Sequence, residues 1–198
     1  RKGRLQEGGI RVPAIVEWPA VIKKGRITGI PANTVDIYPT VLELAGVRVP
    51  GGQPVLDGVS LADLLKGELF HRDKAMGFWD FPAKGQSRHA RRMLEKLQAE
   101  QKAGEQEAAP KEGLIEKKYP LDEFPGPAAW IAGDWKLHRI PAKNGTHVDY
   151  RLYHLVRDQA EKFDLAPVQP ERLARLKTEL GAWQKSVLGS LNGADYRD

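Results

Sequence analysis

The chain has 198 residues, of which 41% are hydrophobic, and its net charge is +5. This length is enough for one compact domain, or for a small domain and part of another. The absence of cysteine excludes disulfides, a thiol nucleophile and thiolate metal sites. The sequence starts at Arg1 without an initiator Met and has no apolar run that could cross a bilayer. We therefore expect part of a longer protein that does not insert into a membrane.

Residues 1–70 are predicted to contain strand and helix in alternation. Residues 11–18 are β-rich and almost continuously apolar, which predicts a strand buried on both faces of a parallel or mixed sheet. Residues 34–45 carry apolar side chains at helical spacing, and Gly46 suits the position that follows a helix. A second, short helix is predicted over residues 61–66.

Residues 71–198 are predicted to form a small antiparallel sheet and a long helix. Strands are predicted at residues 75–81, 128–132, 135–140 and 148–155. Asn144-Gly145 is a strong hairpin signal, which favours an antiparallel meander. From Pro170 to Val187 the apolar residues recur at three-four spacing, which predicts a helix packed across that meander. A charged helical insertion is expected at about residues 84–125.

Together these elements predict an α/β fold with an α+β C-terminal part. The edge of a large mixed α/β sheet is expected first, followed by a small antiparallel sheet packed against a C-terminal helix. Residues 1–70 are assigned to the C-terminal remainder of a large catalytic α/β domain. Residues 71–198 are assigned to a small C-terminal α+β subdomain that could close its own core.

The densest motif is Lys2-Gly-Arg-Leu-Gln-Glu-Gly-Gly-Ile-Arg-Val-Pro13, and the apolar segment after it ends in Trp18-Pro19. This motif resembles the segment of type I sulfatases in which Lys-Gly is followed by Glu-Gly-Gly-x-Arg-x-Pro and an apolar strand. Further segments resemble the same family in the same order: residues 34–46, 56–61, 133–137 and 152–166. The chain departs from the family at residues 4–6, where small hydroxyl residues and an aromatic residue are usual.

The resemblance implies a parent enzyme that hydrolyses sulfate esters, either sulfated carbohydrates or aryl sulfates. Lys2 matches the family lysine that contacts the sulfate, where an ammonium would stabilise negative charge on the leaving group. The alternative for Lys2 is a terminal lysine without a role. In that family the nucleophile is a formylglycine made from Cys or Ser, beside a calcium ion, and both lie upstream of this segment. The chain itself is expected to bind no cofactor and to be inactive alone.

The resemblance also implies the partners and the location of the protein. The expected partners are a sulfate-ester substrate, with a sulfated sugar favoured, and the N-terminal catalytic portion of the parent. Neither a membrane nor nucleic acid is expected as a partner. Sulfatases of this type are mostly periplasmic, extracellular or lysosomal, so a periplasmic or extracellular location is expected.

Other polar residues near the motifs are predicted to be structural. Glu7 and Arg11 flank a glycine turn, where we expect them to pair with neighbouring backbone or with each other. Asp158 and Glu161 could form an acid/base pair, but their turn-like sequence favours capping of backbone groups. The five histidines lack the spacing of a metal site, so surface or strand-packing roles are expected.

Two other functions remain open from the sequence. The first is a noncatalytic module that binds sulfated glycan or nucleic acid through the basic residues of the inserted helix. These residues are Arg88, Arg91, Arg92, Lys96 and Lys102, and two glutamates interrupt their face. The second is a noncatalytic relative from the wider alkaline-phosphatase-like superfamily, which phosphatase activity of the parent would favour.

Overall fold

The computed structural model describes residues 3–48, 53–68, 71–81, 94–95, 98–99, 102, 119–142 and 145–196. The helices whose bounds the structure describes are α1 (Glu7–Ile10), α2 (Ile37–Leu44), α3 (Ala62–Lys66) and α4 (Pro170–Leu191). The strands are β1 (Met76–Trp79), β2 (Ala128–Ala132), β3 (Trp135–Pro141) and β4 (Val148–His154). Short 3-10 helices span Thr34–Asp36, Ala166–Val168 and Ala194–Tyr196. Within the described ranges, none of the helices has the length and apolar character needed to cross a membrane.

The four strands form one sheet in the order β1-β2-β3-β4, with every neighbouring pair antiparallel. Trp130 pairs with Leu137, and Leu137 pairs with Leu152, so these side chains share one face of the sheet. This face forms a buried apolar core with Leu176 and Leu180 of α4. The predicted fold class, with its antiparallel sheet and C-terminal helix, is confirmed.

A glycine in β1 allows α4 to approach the sheet closely. A Cβ built on Gly77 would lie 2.4 Å from the indole of Trp183, a residue of α4. The Trp183 ring also lies 5.7 Å from the ring of Trp130 and 6.2 Å from that of Trp79, measured between centroids. The indole therefore occupies the space that a side chain at position 77 would need.

The opposite face of the sheet is also buried, and part of it is charged. Side chains alternate along β3, so Lys136 and His138 point away from the face that Leu137 shares with α4. Both are almost completely buried, as are Ile131 and Tyr153, which pair with Lys136 on the neighbouring strands. Buried charged groups need ionic or hydrogen-bonded partners, and for this face the partners come from loops distant in sequence.

The buried carboxylate of Asp36 connects three residues that are distant in sequence, Asn33, Val59 and Arg72. Asp36 accepts two hydrogen bonds from the guanidinium of Arg72, at 2.7 and 3.1 Å. It also accepts the backbone N–H groups of Asn33 at 2.6 Å and Val59 at 2.9 Å. Burial opposes ionisation, but the hydrogen bonds from Arg72, Val59 and Asn33 and the charge of Arg72 prevail, so the pKa of Asp36 is lowered. Asp36 thus ties the start of α2 to two loops.

Gly58→Ala is expected to lower the free energy of unfolding by about 1–3 kcal/mol. The added Cβ would lie 2.0 Å from the carbonyl oxygen of Val35, and backbone atoms cannot move aside as a flexible side chain can. Urea denaturation of the chain measures the effect. Gly25→Ala is the matched control, because a Cβ there meets nothing within 4 Å. Equal denaturation midpoints for the two variants would contradict the prediction.

The predicted strand over residues 11–18 is wrong for the structure of this chain. These residues have no regular secondary structure, and Val12 is 76% and Ile15 95% exposed. A strand is stabilised by ladder hydrogen bonds to a neighbouring strand, and β1–β4 pair only with one another within the described residues. The apolar pattern is present, but no strand in the described part of the chain forms a ladder with it. Membership of residues 11–18 in a larger sheet stays a prediction.

The other predicted elements are found close to their predicted positions. α2, α3 and α4 confirm three of the four predicted helices, and Gly46 has the expected positive φ of +67° after α2. Of the predicted insertion, residues 94, 95, 98, 99 and 102 are helical, and most of the remainder lies outside the described residues. The division of the chain after residue 70 stays a prediction.

Candidate functional site

The segment that carries the Lys-Gly motif forms a turn followed by a short helix. Gly3 has a φ of +82°, a left-handed conformation that glycine adopts without strain. The four-residue helix α1 starts at Glu7 and is closed by a hydrogen bond from the Arg11 N–H to the Glu7 carbonyl at 2.9 Å. Lys2 lies outside the described residues. The first described acidic group of the motif is therefore Glu7.

Lys136 of β3 connects this segment to the sheet. Its side chain is 0% exposed, and its ammonium donates a hydrogen bond to Glu7 Oε1 at 2.8 Å. The same ammonium lies 2.9 Å from Glu161 Oε1. A buried ammonium without a carboxylate partner would cost several kcal/mol. The two carboxylates together make the burial of Lys136 tolerable.

Glu161 lies in the loop after β4 and accepts hydrogen bonds from three directions. Besides Lys136, His138 Nε2 lies 2.7 Å from Glu161 Oε1, and the backbone N–H of Glu7 donates to Glu161 Oε2 at 3.0 Å. The φ of Glu161 is +53°, a conformation uncommon for a residue other than glycine. These contacts offset the backbone strain at Glu161. We call Glu7, Lys136, His138 and Glu161 the buried charge cluster.

The buried charge cluster strongly favours the ionised form of Glu161. Burial alone would raise the pKa of this carboxyl. Hydrogen bonds from His138 and Lys136, the positive charge of Lys136 and the backbone N–H of Glu7 outweigh it, and lower the pKa of Glu161 to about 2. The carboxylate is therefore a permanent anion at neutral pH, which suits an anchoring group rather than a general acid.

The low pKa of Glu161 predicts a loss of stability in acid. Its folded pKa of about 2 lies below the ordinary value of 4.5. The stabilisation is therefore complete above pH 4.5 and is lost as the pH falls from about 4.5 to about 2, for a total on the order of 3 kcal/mol. Glu161→Gln should remove this part of the pH dependence, measured by urea denaturation between pH 2 and 7. Parallel pH profiles for the variant and the wild type would contradict the prediction.

The motif around Glu7 lies within a region that matches a known family. The family described as N-sulphoglucosamine sulphohydrolase, C-terminal, matches residues 2–96. Steryl-sulfatase from Mus musculus is 45% identical over 67 residues, which are 34% of this chain and 11% of the relative. The chain is therefore similar to the C-terminal part of sulfatases. The resemblance of residues 2–13 to type I sulfatases is thereby confirmed.

Sequence similarity to one sulfatase extends over most of the chain. An uncharacterized sulfatase of Schizosaccharomyces pombe is 27% identical over 187 residues, which cover 88% of this chain and 25% of the relative. A solved structure described as a complex with D-glucosamine-2-N,6-O-disulfate is 16% identical, with a TM-score of 0.42, over 82% of this chain and 25% of that one. The chain thus spans between 11% and 25% of the length of these proteins.

Glu7 and Arg11 of the motif at residues 2–13 have structural roles, as predicted, but the partner of Glu7 differs from the one expected. Glu7 was expected to pair with neighbouring backbone or with Arg11. Its carboxylate instead pairs with Lys136, which is 129 residues away in sequence. Arg11 is exposed, and its backbone N–H closes α1. Local sequence could not indicate a partner on a distant strand.

Of the second candidate pair, Asp158 behaves as predicted. Its Oδ2 accepts the backbone N–H groups of Lys162 and Phe163, each at 2.8 Å, so it caps the turn. Glu161 accepts a backbone N–H as well, but from the distant Glu7, and its charged partners are Lys136 and His138. The capping prediction therefore misses the main role of Glu161.

The histidines occupy surface and strand positions within the described residues. His71 and His147 are exposed, with side chains 81% and 62% accessible. His138 is buried on β3, and the ring of His154 lies 4.8 Å from that of Trp135. The described residues contain no group of three His, Asp or Glu side chains arranged to hold a metal ion.

Sequence reasoning missed Lys136 and His138 as members of a site. The signal was present in Trp135-Lys-Leu-His-Arg-Ile140, where a lysine and a histidine alternate with apolar residues in a predicted strand. Alternation places both on one face, and a charged face inside a sheet requires charged partners.

The basic residues proposed to bind polyanions lie mostly outside the described residues, except Lys102, so that alternative stays a prediction.

Proposed function

We propose that this chain is the C-terminal portion of an enzyme that hydrolyses sulfate esters, and that Lys2 contacts the sulfate group. The observation that supports it is the family match over residues 2–96, which includes Lys2 and the whole Glu-Gly-Gly motif. A sulfated carbohydrate or an aryl sulfate is the proposed substrate class. Because the chain spans a small part of its relatives, this activity is assigned to the longer protein.

The contribution of this chain to the reaction would be electrostatic. Cleavage of a sulfate ester spreads negative charge over the sulfate oxygens and the leaving oxygen, and an ammonium within hydrogen-bond distance stabilises that charge. Lys2 would supply this ammonium. A formylglycine nucleophile and a calcium ion are proposed for the longer protein, where calcium would polarise the sulfate. Their residues are proposed to lie outside this chain, and so the chain alone should release no sulfate.

Lys2→Ala in the longer protein is expected to lower kcat/KM for an aryl sulfate by about 10²–10³-fold, the usual cost of removing one charge-stabilising donor. Lys23→Ala is the matched control, because that lysine is exposed and donates to the nearby Pro19 carbonyl at 3.1 Å. Sulfate release is measured under steady-state conditions. An active wild type with no loss in Lys2→Ala would contradict the role of Lys2, and an inactive wild type would contradict the proposed enzyme.

An exposed apolar surface supports a second part of the proposal, a docking partner. We define the apolar surface as Val12, Ile15, Ile27, Ile37, Val41 and Val55, which are between 56% and 101% exposed. α2 contributes Ile37 and Val41 to this surface, and Thr40 is the only buried residue of α2. Contiguous exposed apolar patches mark interaction sites, and we propose that these residues form one such patch.

The occupant proposed for the apolar surface is the N-terminal catalytic portion of the same protein. The relatives carry most of their length outside the region that this chain matches, as the 11% share of steryl-sulfatase illustrates. Residues 11–18, which have strand-like sequence but no strand partner in the described residues, would gain a ladder there. Burying the apolar surface against the N-terminal portion would stabilise the complex by about 25 cal/mol per Å² of apolar area removed from water.

Co-expression of the two portions as separate chains tests the docking. The wild-type chain is expected to co-purify with the N-terminal portion, and Val41→Asp should abolish the complex because it introduces a charge into the apolar surface. Val156→Asp is the control, since Val156 is also 67% exposed but lies in the loop after β4. A complex that survives Val41→Asp, or a chain that forms only homodimers, would contradict the proposal.

The location of the protein is also a proposal. A periplasmic or extracellular location is supported by the family alone. It is tested by fractionating cells that produce the full protein, with recovery in the cytosolic fraction as the contradicting result.

A further inference from the structure

The N-terminal motif is held to the sheet by both the backbone and the side chain of one residue. The Glu7 N–H donates to Glu161 at 3.0 Å, and the Glu7 carboxylate accepts from Lys136 at 2.8 Å. Two contacts from different groups of the same residue fix its orientation as well as its position. Each partner is itself buried: Lys136 is 0% and the Glu161 side chain 4% exposed.

Apolar packing contributes little to this attachment. None of the four residues of α1 is buried, and residues 11–17 that follow are exposed. A four-residue helix is also not stable by itself, because helix nucleation is costly. The buried charge cluster is therefore the contact that can define where the segment lies relative to β3.

We propose that Lys136, His138 and Glu161 act through Glu7 as positioning residues for the sulfate-contacting Lys2, an inference that rests on the proposed function. Lys2 is five residues before Glu7 in the sequence, so a fully extended chain between them could span at most about 17 Å. An anchor this near limits the positions open to Lys2. The small C-terminal sheet thereby takes part in catalysis without touching the substrate.

The expected effect follows from the geometry that catalysis needs. A displacement of about 1 Å at a charge-stabilising group can lower the rate by about 10²-fold. Lys136→Met removes the donor that holds the Glu7 carboxylate. The Glu7 N–H would retain its acceptor on Glu161, so the segment would stay attached but would be less defined in orientation. Because a small displacement of Lys2 would already slow the reaction, we expect kcat of the longer protein to fall by about 10–100-fold.

A double-mutant cycle in the longer protein separates positioning from simple destabilisation. Lys136→Met should lower kcat/KM in the wild-type background and have no more than about a 2-fold effect in the Lys2→Ala background, because residues that act through one another are not additive. Arg72→Met is the matched control, since Arg72 also forms a buried ion pair, at 2.7 Å to Asp36. Its effect should be equal in both backgrounds.

Conservative variants provide a second test if Lys136→Met does not fold. Glu7→Gln keeps the Lys136–Glu161 pair and removes one charge, and Lys136→Arg keeps the charge. We expect Glu7→Gln to lower kcat and to lower the thermal midpoint less than Lys136→Met does, because Lys136 keeps Glu161 as a partner. Lys136→Arg should retain more activity than Lys136→Met. Hydrogen exchange should report faster exchange at the amides of residues 7–11 in Glu7→Gln, while β2 remains protected.

The outcomes distinguish the positioning role of the buried charge cluster from the proposed sulfate-ester hydrolysis. An additive cycle in an active enzyme, or unchanged exchange at residues 7–11, would overturn the positioning role and leave the proposed function intact. A longer protein that releases no sulfate in its wild-type form would overturn both. A non-additive cycle together with faster exchange is the result that supports positioning of Lys2 by the sheet.

Discussion

Lys136→Met is expected to lower the free energy of unfolding of the chain by about 3–5 kcal/mol, the usual cost of removing one partner of a buried ion pair. The change leaves Glu7 and Glu161 facing each other without the ammonium that lies 2.8 Å from one and 2.9 Å from the other. Neither carboxylate can reach water freely, since their side chains are 12% and 4% exposed. Urea denaturation at pH 7 measures the loss.

Lys66→Met is the matched control for the loss of one lysine. Lys66 is 41% exposed and lies 3.6 Å from Asp63, so its removal should cost less than about 1 kcal/mol. Adding Glu161→Gln to Lys136→Met should recover part of the lost stability, because it removes one of the two uncompensated charges. Similar losses in Lys136→Met and Lys66→Met would show that the buried charge cluster does not stabilise the fold.

Gly77→Ala is expected to lower the free energy of unfolding by about 1–3 kcal/mol through overpacking. The new methyl group would lie 2.4 Å from two atoms of the Trp183 indole and 2.6 Å from a third. Trp183 cannot rotate away without disturbing Trp130 and Trp79, whose rings lie against it. The measurement is thermal and urea denaturation of the chain.

Gly181→Ala is the control for Gly77→Ala, because it makes the same chemical change in α4. A Cβ at position 181 meets nothing within 4 Å. Alanine is the better helix former, so this variant should be more stable than the wild type by about 0.5–1 kcal/mol. The opposite signs expected for the two substitutions make the comparison sensitive. A Gly77→Ala chain as stable as the wild type would contradict the close packing of Trp183 on β1.

The elements whose apolar pattern and end signals lie within their own sequence were predictable. α4 carries an apolar stripe and begins with Pro170, and the meander carries alternating residues and a hairpin signal, so local rules suffice. The prediction of a strand over residues 11–18 was wrong because an apolar run indicates burial of a segment. It does not indicate whether a partner strand is present. The fold class was recovered, but this segment was not.

The candidate site was predictable only in part, for a related reason. The Glu-Gly-Gly motif identified Glu7 as structural, but the turn expected at its two glycines is wrong, because both lie within the helix α1. Its partners Lys136 and Glu161 are 129 and 154 residues away. Pairing between charges so distant depends on strand register and on a loop conformation with a φ of +53° at Glu161. Neither of these is visible in local spacing.

The close approach of α4 to β1 has an optical consequence. Three of the five tryptophans, Trp79, Trp130 and Trp183, have ring centroids 5.7 to 6.2 Å from a neighbouring indole in the same group. Indoles this near couple their electronic transitions, which gives a circular-dichroism signal that isolated tryptophans lack. One ring lies on the helix and the other two lie on the sheet. The separation of α4 from the sheet can therefore be followed with the natural chromophores of the chain.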